Sequence, residues 1–367
     1  MLLEGLHIPL TTPFHPDGRL NPRKLASNVA RYSKTPAAGL IVLGPSGEPT
    51  LLSDDETREV LRIAAHSAAP EKVLIAGISR DSVSSTLALA AYAAEQNYDA
   101  VLIGVPPCLA LESQLDSTAF KTDLQRQVKS RLREQRTFFQ TVADRSPLPV
   151  ILLNVLGRVV RLPNAVELAS HPNIVGIFGA GMSSEMQRAR ISGLLDRTAN
   201  IRREVTVTPT FAPVTRRMAV AFRPSMALLS ASSLTTTATA LSELPHAAPQ
   251  LRTRTKSVGF QTIAVRARNL LEALNAGAAG IAPAFAAAAP QACYEIFAAW
   301  KDSDQPLAEE KQLRIVEAAR LAEASPAALK HGCDLNGYFG GLPRLPHLPP
   351  TGAERAEIEQ LMQPLRS

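Results

Sequence analysis

Short apolar runs closed by glycine or proline recur along this chain, and a stretch with helical spacing separates each from the next. The runs are GLHIPLTT (5–12), GLIVLG (39–44), KVLIAGI (72–78), DAVLIGVP (99–106), the segment 149–154 and NIVGIF (173–178). Runs this short, rich in Ile, Val and Leu and bounded by turn residues, read as buried strands. Helix starts fall between them. Asn21 before Pro22 supplies a capping acceptor and then a residue whose missing N–H costs nothing at the first turn. Ser53 with Glu56 three residues on is a capping box opening a helix to about 68, and Asp81 caps a third helix over 82–96. Strands alternating with helices predict a parallel sheet, because each crossover lays a helix over a sheet face.

Further along, a long helix is expected over about 113–144. From about 200 to 258 the regularity breaks down. REVTVTP (203–209) and MALLSASS (226–233) are strand candidates, and the Ser/Thr/Ala-rich stretch 234–257 has no steady period, so part of this region reads as an inserted, poorly ordered surface loop. Order resumes with a helix over 263–276, a closing strand AAGIAP (278–283) and a helix over 287–301. Three more helices follow at 307–323, 326–334 and 352–365, the last opened by the box Thr351 to Glu354, with GLPRLPHLPP (341–350) as an extended strap. The strand count is eight, with the seventh unassigned between 203 and 260. Eight strands with intervening helices predict a (β/α)8 barrel over 1–302, interrupted at about 200–258, and a helical region over 303–367.

Composition narrows the function. The chain has 367 residues, 46% of them hydrophobic, and a formal charge of +6 from 39 Lys+Arg against 33 Asp+Glu. That excess is mild and spread out. Even the basic stretch 121–136 lacks interleaved aromatics for stacking, so a solvated helix is expected there and no nucleic-acid partner. Cys108, Cys293 and Cys333 are far apart and in no C-x-x-C pair, which fits a reducing cytoplasm and indicates neither a disulfide framework nor a zinc site. The histidines show no i, i+4 pairing for a metal. No apolar run reaches the roughly twenty residues a membrane span needs, and the amino terminus lacks a basic leader. No cofactor motif stands out.

Several segments together resemble the pyruvate-dependent aldolase family of dihydrodipicolinate synthase and N-acetylneuraminate lyase. They are TTPFHPDGRLN, GPSGE followed by LSDDE, VILLNVLGR, HPNIVGI, ALNAGAAGI and LNGYFGGLPRLPHLPP. The resemblance implies a (β/α)8 barrel with a helical carboxyl-terminal extension and a dimer or tetramer of identical chains. It also implies a lysine at the end of strand six that forms a Schiff base with the ketone of a 2-oxo acid such as pyruvate. A tyrosine ending strand five relays protons, helped by a hydroxyl in a G-[ST]-T-G-E loop and a second tyrosine after strand four.

Those positions depart from the pattern here. Phe178 stands for the lysine and Leu153 for the tyrosine, Pro45 takes the first hydroxyl position, and Cys108 lies about where the second tyrosine would be. Phenyl and isobutyl groups have neither a nucleophile nor a proton to exchange, so the covalent step is not expected. Ser46, Gly47 and Arg158 survive. Two readings of them stand open: a cradle for a small carboxylate, or a turn shaped by glycine with Arg158 paired to a local acid. A displaced lysine, with Lys256 the least unfavourable candidate, would preserve lyase or dehydratase activity; a non-catalytic structural or regulatory barrel in a mixed oligomer and a decaying or misread gene are further alternatives.

Overall fold

A computed structural model describes residues 1–110, 121–155, 157–179, 184–221 and 251–366. The strands are β1 (Gly5–Pro9), β2 (Gly39–Val42), β3 (Val73–Gly77), β4 (Ala100–Gly104), β5 (Val150–Leu153), β6 (Ile174–Phe178), β7 (Arg203–Val207), β8 (Arg254–Val258), β9 (Gln261–Ala264) and β10 (Gly280–Ile281). All but β7 and β8 close into a parallel barrel in the order β1-β10-β9-β6-β5-β4-β3-β2. The helices outside it are α1 (Pro22–Tyr32), α2 (Asp54–Ser67), α3 (Val83–Glu95), α4 (Lys121–Arg145), α5 (Leu162–Ala169), α6 (Ser184–Arg197), α7 (Arg216–Ala221), α8 (Leu270–Asn275) and α9 (Pro290–Lys301). Then come α10 (Gln305–Ala322), α11 (Pro326–Leu335) and α12 (Gly352–Met362).

Strands β2 to β6 are apolar on both faces because both are covered. Ile41, Ile75, Leu102, Ile151, Phe178 and Ile263 fill the interior, while their neighbours Leu40, Leu74, Val101, Leu152, Ile177 and Ala264 face the helices. The capping boxes of α2 and α12 form as expected, and Asn21 accepts the Lys24 N–H at the start of α1. The cap of α3 is Ser82, which accepts the Ser85 N–H, rather than Asp81.

Strand seven of the barrel is β9, which overlaps the start of the helix expected at 263. The helix itself shrinks to Leu270–Asn275 behind a single tight turn at Ala267–Asn269. Barrel closure decides this: Gln261 and Ile263 align with Gly176 and Phe178 on β6, and Ile263 with Gly280 on β10. REVTV is a strand, yet it pairs antiparallel with β8 outside the barrel. Its residues alternate, with Val205 and Val207 buried and Glu204 and Thr206 exposed. That is the pattern of a ribbon with one covered face, and the covered face meets Leu2.

The described parts of the 200–258 region are therefore ordered and tied down. Arg203 donates to the Ala169 and His171 carbonyls at 2.6 and 2.9 Å, and Arg217 to those of Ala65, Ala68 and Ala69. These carbonyls end α5 and α2, where the helix dipole favours cations. The Arg216 N–H adds a bond to Asp99 Oδ1 at 2.6 Å. The strand candidate 226–233 and the expected helical residues 113–120 lie outside the described residues.

The tail is fastened by charge. Lys330, fully buried on α11, pairs with the buried carboxylate of Glu48 in the loop after β2. Its ammonium also lies 4.4 Å from the Phe14 ring centroid and 3.1 Å from the Leu342 carbonyl. Arg344 in the strap donates its N–H to Glu48 Oε2 at 3.0 Å and grips both oxygens of Glu56 at 2.7 Å. Asn28 exchanges two hydrogen bonds with the Phe339 backbone. Three segments distant in sequence, near residues 14, 48 and 330–344, thus meet in one cluster.

Removing one partner of a buried ion pair leaves the other charge desolvated and uncompensated. Lys330→Met is expected to lower unfolding stability in urea by about 3–5 kcal/mol, and the double variant with Glu48→Gln by clearly less than the sum of the two singles. Additive losses would contradict the pairing.

Candidate functional site

The carboxyl ends of the barrel strands surround a cavity of about 280 Å³. Parallel barrels place chemistry at this end because strand-to-helix loops converge there. Ile41, Leu102 and Ala282 from the barrel interior form part of its lining, and Pro45, Ser46, Leu153, Asn154, Arg266 and Glu323 stand around it.

The loop after β2 takes two left-handed turns at residues with side chains, Leu43 (φ 58°) and Glu48 (φ 53°). Such conformations cost free energy and need support. Gly77 supplies it for the first, since a Cβ there would lie 2.0 Å from the Leu43 carbonyl oxygen, and the Lys330 pair holds the second. Between them a single tight turn, Pro45–Gly47, presents Ser46 to the cavity. Within it the Gly47 N–H donates to the Gly44 carbonyl at 2.9 Å, and the Gly47 carbonyl accepts from Thr12 Oγ1 at 2.6 Å.

On the far side Asn154 locks two strand ends together. Its Nδ2 donates to the Gly179 carbonyl at 2.7 Å and its Oδ1 accepts the Val160 N–H at 2.9 Å. Gly179 follows Phe178 in the left-handed region (φ +83°), where a Cβ would sit 2.9 Å from the Asn154 carbonyl oxygen.

The residues singled out from sequence separate here. Leu153, Pro45 and Ser46 line the cavity, whereas Gly47, Cys108, Arg158 and Phe178 are not among its lining residues. Phe178 lies within the barrel interior at 1% exposure, its ring centroid 6.4 Å from that of His7. Burial holds the His7 imidazole neutral by lowering its pKa to about 4. Cys108 is exposed in the turn Pro107–Leu109, and Arg158 closes a backbone turn with Val155. Lys256 is on β8, with its Nζ 2.8 Å from Glu4 Oε2. Glu4 immediately precedes β1, so this lysine stands at the opposite end of the barrel from the cavity.

Two ionisable residues of the mouth escaped sequence reasoning. Arg266 follows β9, and Glu323 ends α10 in the carboxyl-terminal extension. Glu323 Oε1 accepts the Phe285 N–H at 3.2 Å. Burial drives its pKa from 4.5 up to about 7, against the opposing pull of the Phe285 and Ala267 N–H groups and of Arg266 and Arg268. No sequence signal marked it, since it sits in an ordinary helix-ending stretch, LAEAS. Among the described residues no three His, Cys, Asp or Glu side chains gather to hold a metal ion, and no helix is long and apolar enough to cross a membrane.

A parallel eight-stranded barrel with a cavity at its strand ends and a helical tail fastened over the β2 loop defines the chain as a (β/α)8-barrel protein. The chain matches the model of the Dihydrodipicolinate synthetase family over residues 2–120. It is similar to the 4-hydroxy-tetrahydrodipicolinate synthase of Acidiphilium cryptum, 26% identical over 366 residues covering 98% of each chain. The N-acetylneuraminate lyase of Rhizobium meliloti is 32% identical over 179 residues, 48% of this chain and 54% of that one. The fold is shared with the dihydrodipicolinate synthase from Acinetobacter baumannii solved in complex with pyruvate, with a TM-score of 0.70, 19% identity and 98% of both chains covered.

The raised pKa of Glu323 carries a sign for stability. Its contribution is fully present below about pH 4.5 and is lost as pH rises through about 7, because the folded state holds the proton longer than the unfolded chain. Glu323→Gln should therefore flatten this part of the pH–stability profile and leave the variant more stable than the parent at pH 8, by on the order of 1–3 kcal/mol. Chemical denaturation at several pH values reads this directly, and a variant less stable at pH 8 would contradict the burial.

Proposed function

We propose that this protein holds a small 2-oxo acid such as pyruvate at the barrel mouth without forming a Schiff base with it. The observation that carries this reading is Phe178, a phenyl ring packed into the barrel at the end of β6 where the family pattern has its lysine. Imine formation needs an unprotonated amine within reach of the carbonyl carbon, and among the described residues no lysine lines the cavity. Lys330, the buried lysine nearest in kind, has no exposed surface and is committed to Glu48 and the Leu342 carbonyl. Lys256 and Lys301 both engage Glu4 at the far end of the barrel.

Proton relay through the strand-five position is equally unsupported, because Leu153 faces the cavity with a hydrocarbon side chain. Of the three residues expected to cradle a carboxylate, Ser46 is the one at the cavity wall. The polar side chains lining the cavity are then Ser46, Asn154, Arg266 and Glu323, set in a mostly aliphatic surround, with both side-chain polar atoms of Asn154 already bonded to Gly179 and Val160. Such a site supports binding and orientation, with no covalent intermediate.

The test is reductive trapping. Incubated with pyruvate and borohydride, the protein should keep its intact mass. A pyruvyl adduct mapped to any lysine would overturn the reading.

A further inference from the structure

The charge excess, mild over the whole chain, is concentrated rather than spread out. Residues 200–260 hold eight of the arginines and lysines against two acids, Glu204 and Glu243. That excess of six equals the formal charge of the entire protein, so the rest of the sequence is neutral. Three of the eight face inward: Arg203 and Arg217 hold helix-ending carbonyls, and Lys256 pairs with Glu4. Arg202, Arg216, Arg252 and Arg254 are instead exposed, and none of these four guanidinium groups forms an ion pair with a described carboxylate.

These arginines surround an open strand edge. Strand β8 pairs with β7 alone, so the backbone N–H and C=O groups on its other side have no strand beside them. Arg252 and Arg254 stand at one end of β8. Arg202 stands at the other, its guanidinium 3.1 Å from where a Cβ on Gly259 would be. Along the strand Arg254, Thr255 and Ser257 are exposed. Glu204, the acid of the ribbon, lies across it on β7, opposite Ser257. The ribbon is held from below by Leu2 against Val205 and Val207, so a strand added to its edge meets a template that is already ordered.

Charge selects what can be added. A second copy of this chain, pairing edge to edge, would bring basic residues against basic residues, which disfavours it. A single-stranded nucleic acid needs a row of rings for its bases, whereas the exposed aromatic beside the ribbon is Phe211, with the Arg254 guanidinium over its ring at 5.7 Å. An extended acidic polypeptide meets both requirements, because its amides continue the ladder while its carboxylates reach the arginines. Five residues of β8 span about 17 Å, which a segment of about five to seven residues covers.

We propose that the outer edge of β8 docks an extended acidic segment of a partner protein as a third strand of the ribbon. The surface is separate from the barrel mouth and independent of what the mouth binds.

Fluorescence anisotropy on the full chain with a labelled EVEVEVE peptide tests the proposal. The peptide should bind in 50 mM salt and bind more weakly in 300 mM salt, where exposed charges are screened. The same peptide N-methylated at every amide keeps its carboxylates and loses both strand edges, and its affinity should be at least about tenfold lower. The double variant Arg252→Ser, Arg254→Ser should weaken binding of the parent peptide by about tenfold, and peptide binding should slow amide hydrogen exchange within 254–258. No binding in 50 mM salt, or equal binding of the N-methylated peptide, overturns the proposal. Tighter binding of a twelve-residue oligothymidylate overturns it in favour of a nucleic acid, and exchange protection of 254–258 that rises with protein concentration alone overturns it in favour of a second copy.

Discussion

The interior of an eight-stranded parallel barrel is only wide enough for the side chains that fill it, and every strand must contribute to that filling. This constraint governs the molecule. Ile41, Ile75, Leu102, Ile151, Phe178 and Ile263 point inward and leave little room for a polar group without a partner. A lysine at the end of β6 would have to place its ammonium toward the mouth to stay hydrated. A phenylalanine has no such need, and Phe178 instead sinks to 1% exposure opposite His7. The residue that ends β6 therefore determines whether the top layer of the barrel is reactive or is packing.

The second organising element is the bond between barrel and tail. Glu48 occupies a left-handed conformation unusual for a residue with a side chain, and the β2 loop it belongs to presents Ser46. Lys330, the Arg344 N–H and, through Glu56, the Arg344 guanidinium stabilise this loop from outside the barrel. The same extension delivers Glu323 to the mouth. Loop geometry and tail docking are thus coupled to the cavity: a disturbance of α11 reaches Ser46 through Glu48, and one of α10 reaches the cavity wall directly through Glu323.

Much of this was legible in the sequence, for local reasons. Strands β1 to β6 are continuous apolar runs ended by turn residues, and the caps of α1, α2 and α12 are decided within four residues. Phe178 and Leu153 could be placed because glycine and asparagine landmarks flank them. Strand β9 was hidden because Gln261 and Thr262 are polar yet buried. The Gln261 amide is satisfied by the Leu3 N–H at 2.7 Å and the Met1 carbonyl at 3.0 Å, partners some 260 residues away that no local pattern reveals. Strand β8 falls in the stretch read as loose because its order comes from pairing with β7, a strand distant from it in sequence. Glu323 carried no signal at all, since only the docking of α10 turns an ordinary glutamate into a wall of the cavity.

The proposed reading is of a barrel whose mouth holds a small 2-oxo acid without bonding to it. Carbon-13 NMR of pyruvate labelled at its carbonyl carbon, mixed with stoichiometric protein, tests that claim most directly. The account predicts that the labelled carbon is seen only as ketone and hydrate, broadened or shifted by binding. An imine or enamine carbon resonance in that mixture would contradict it.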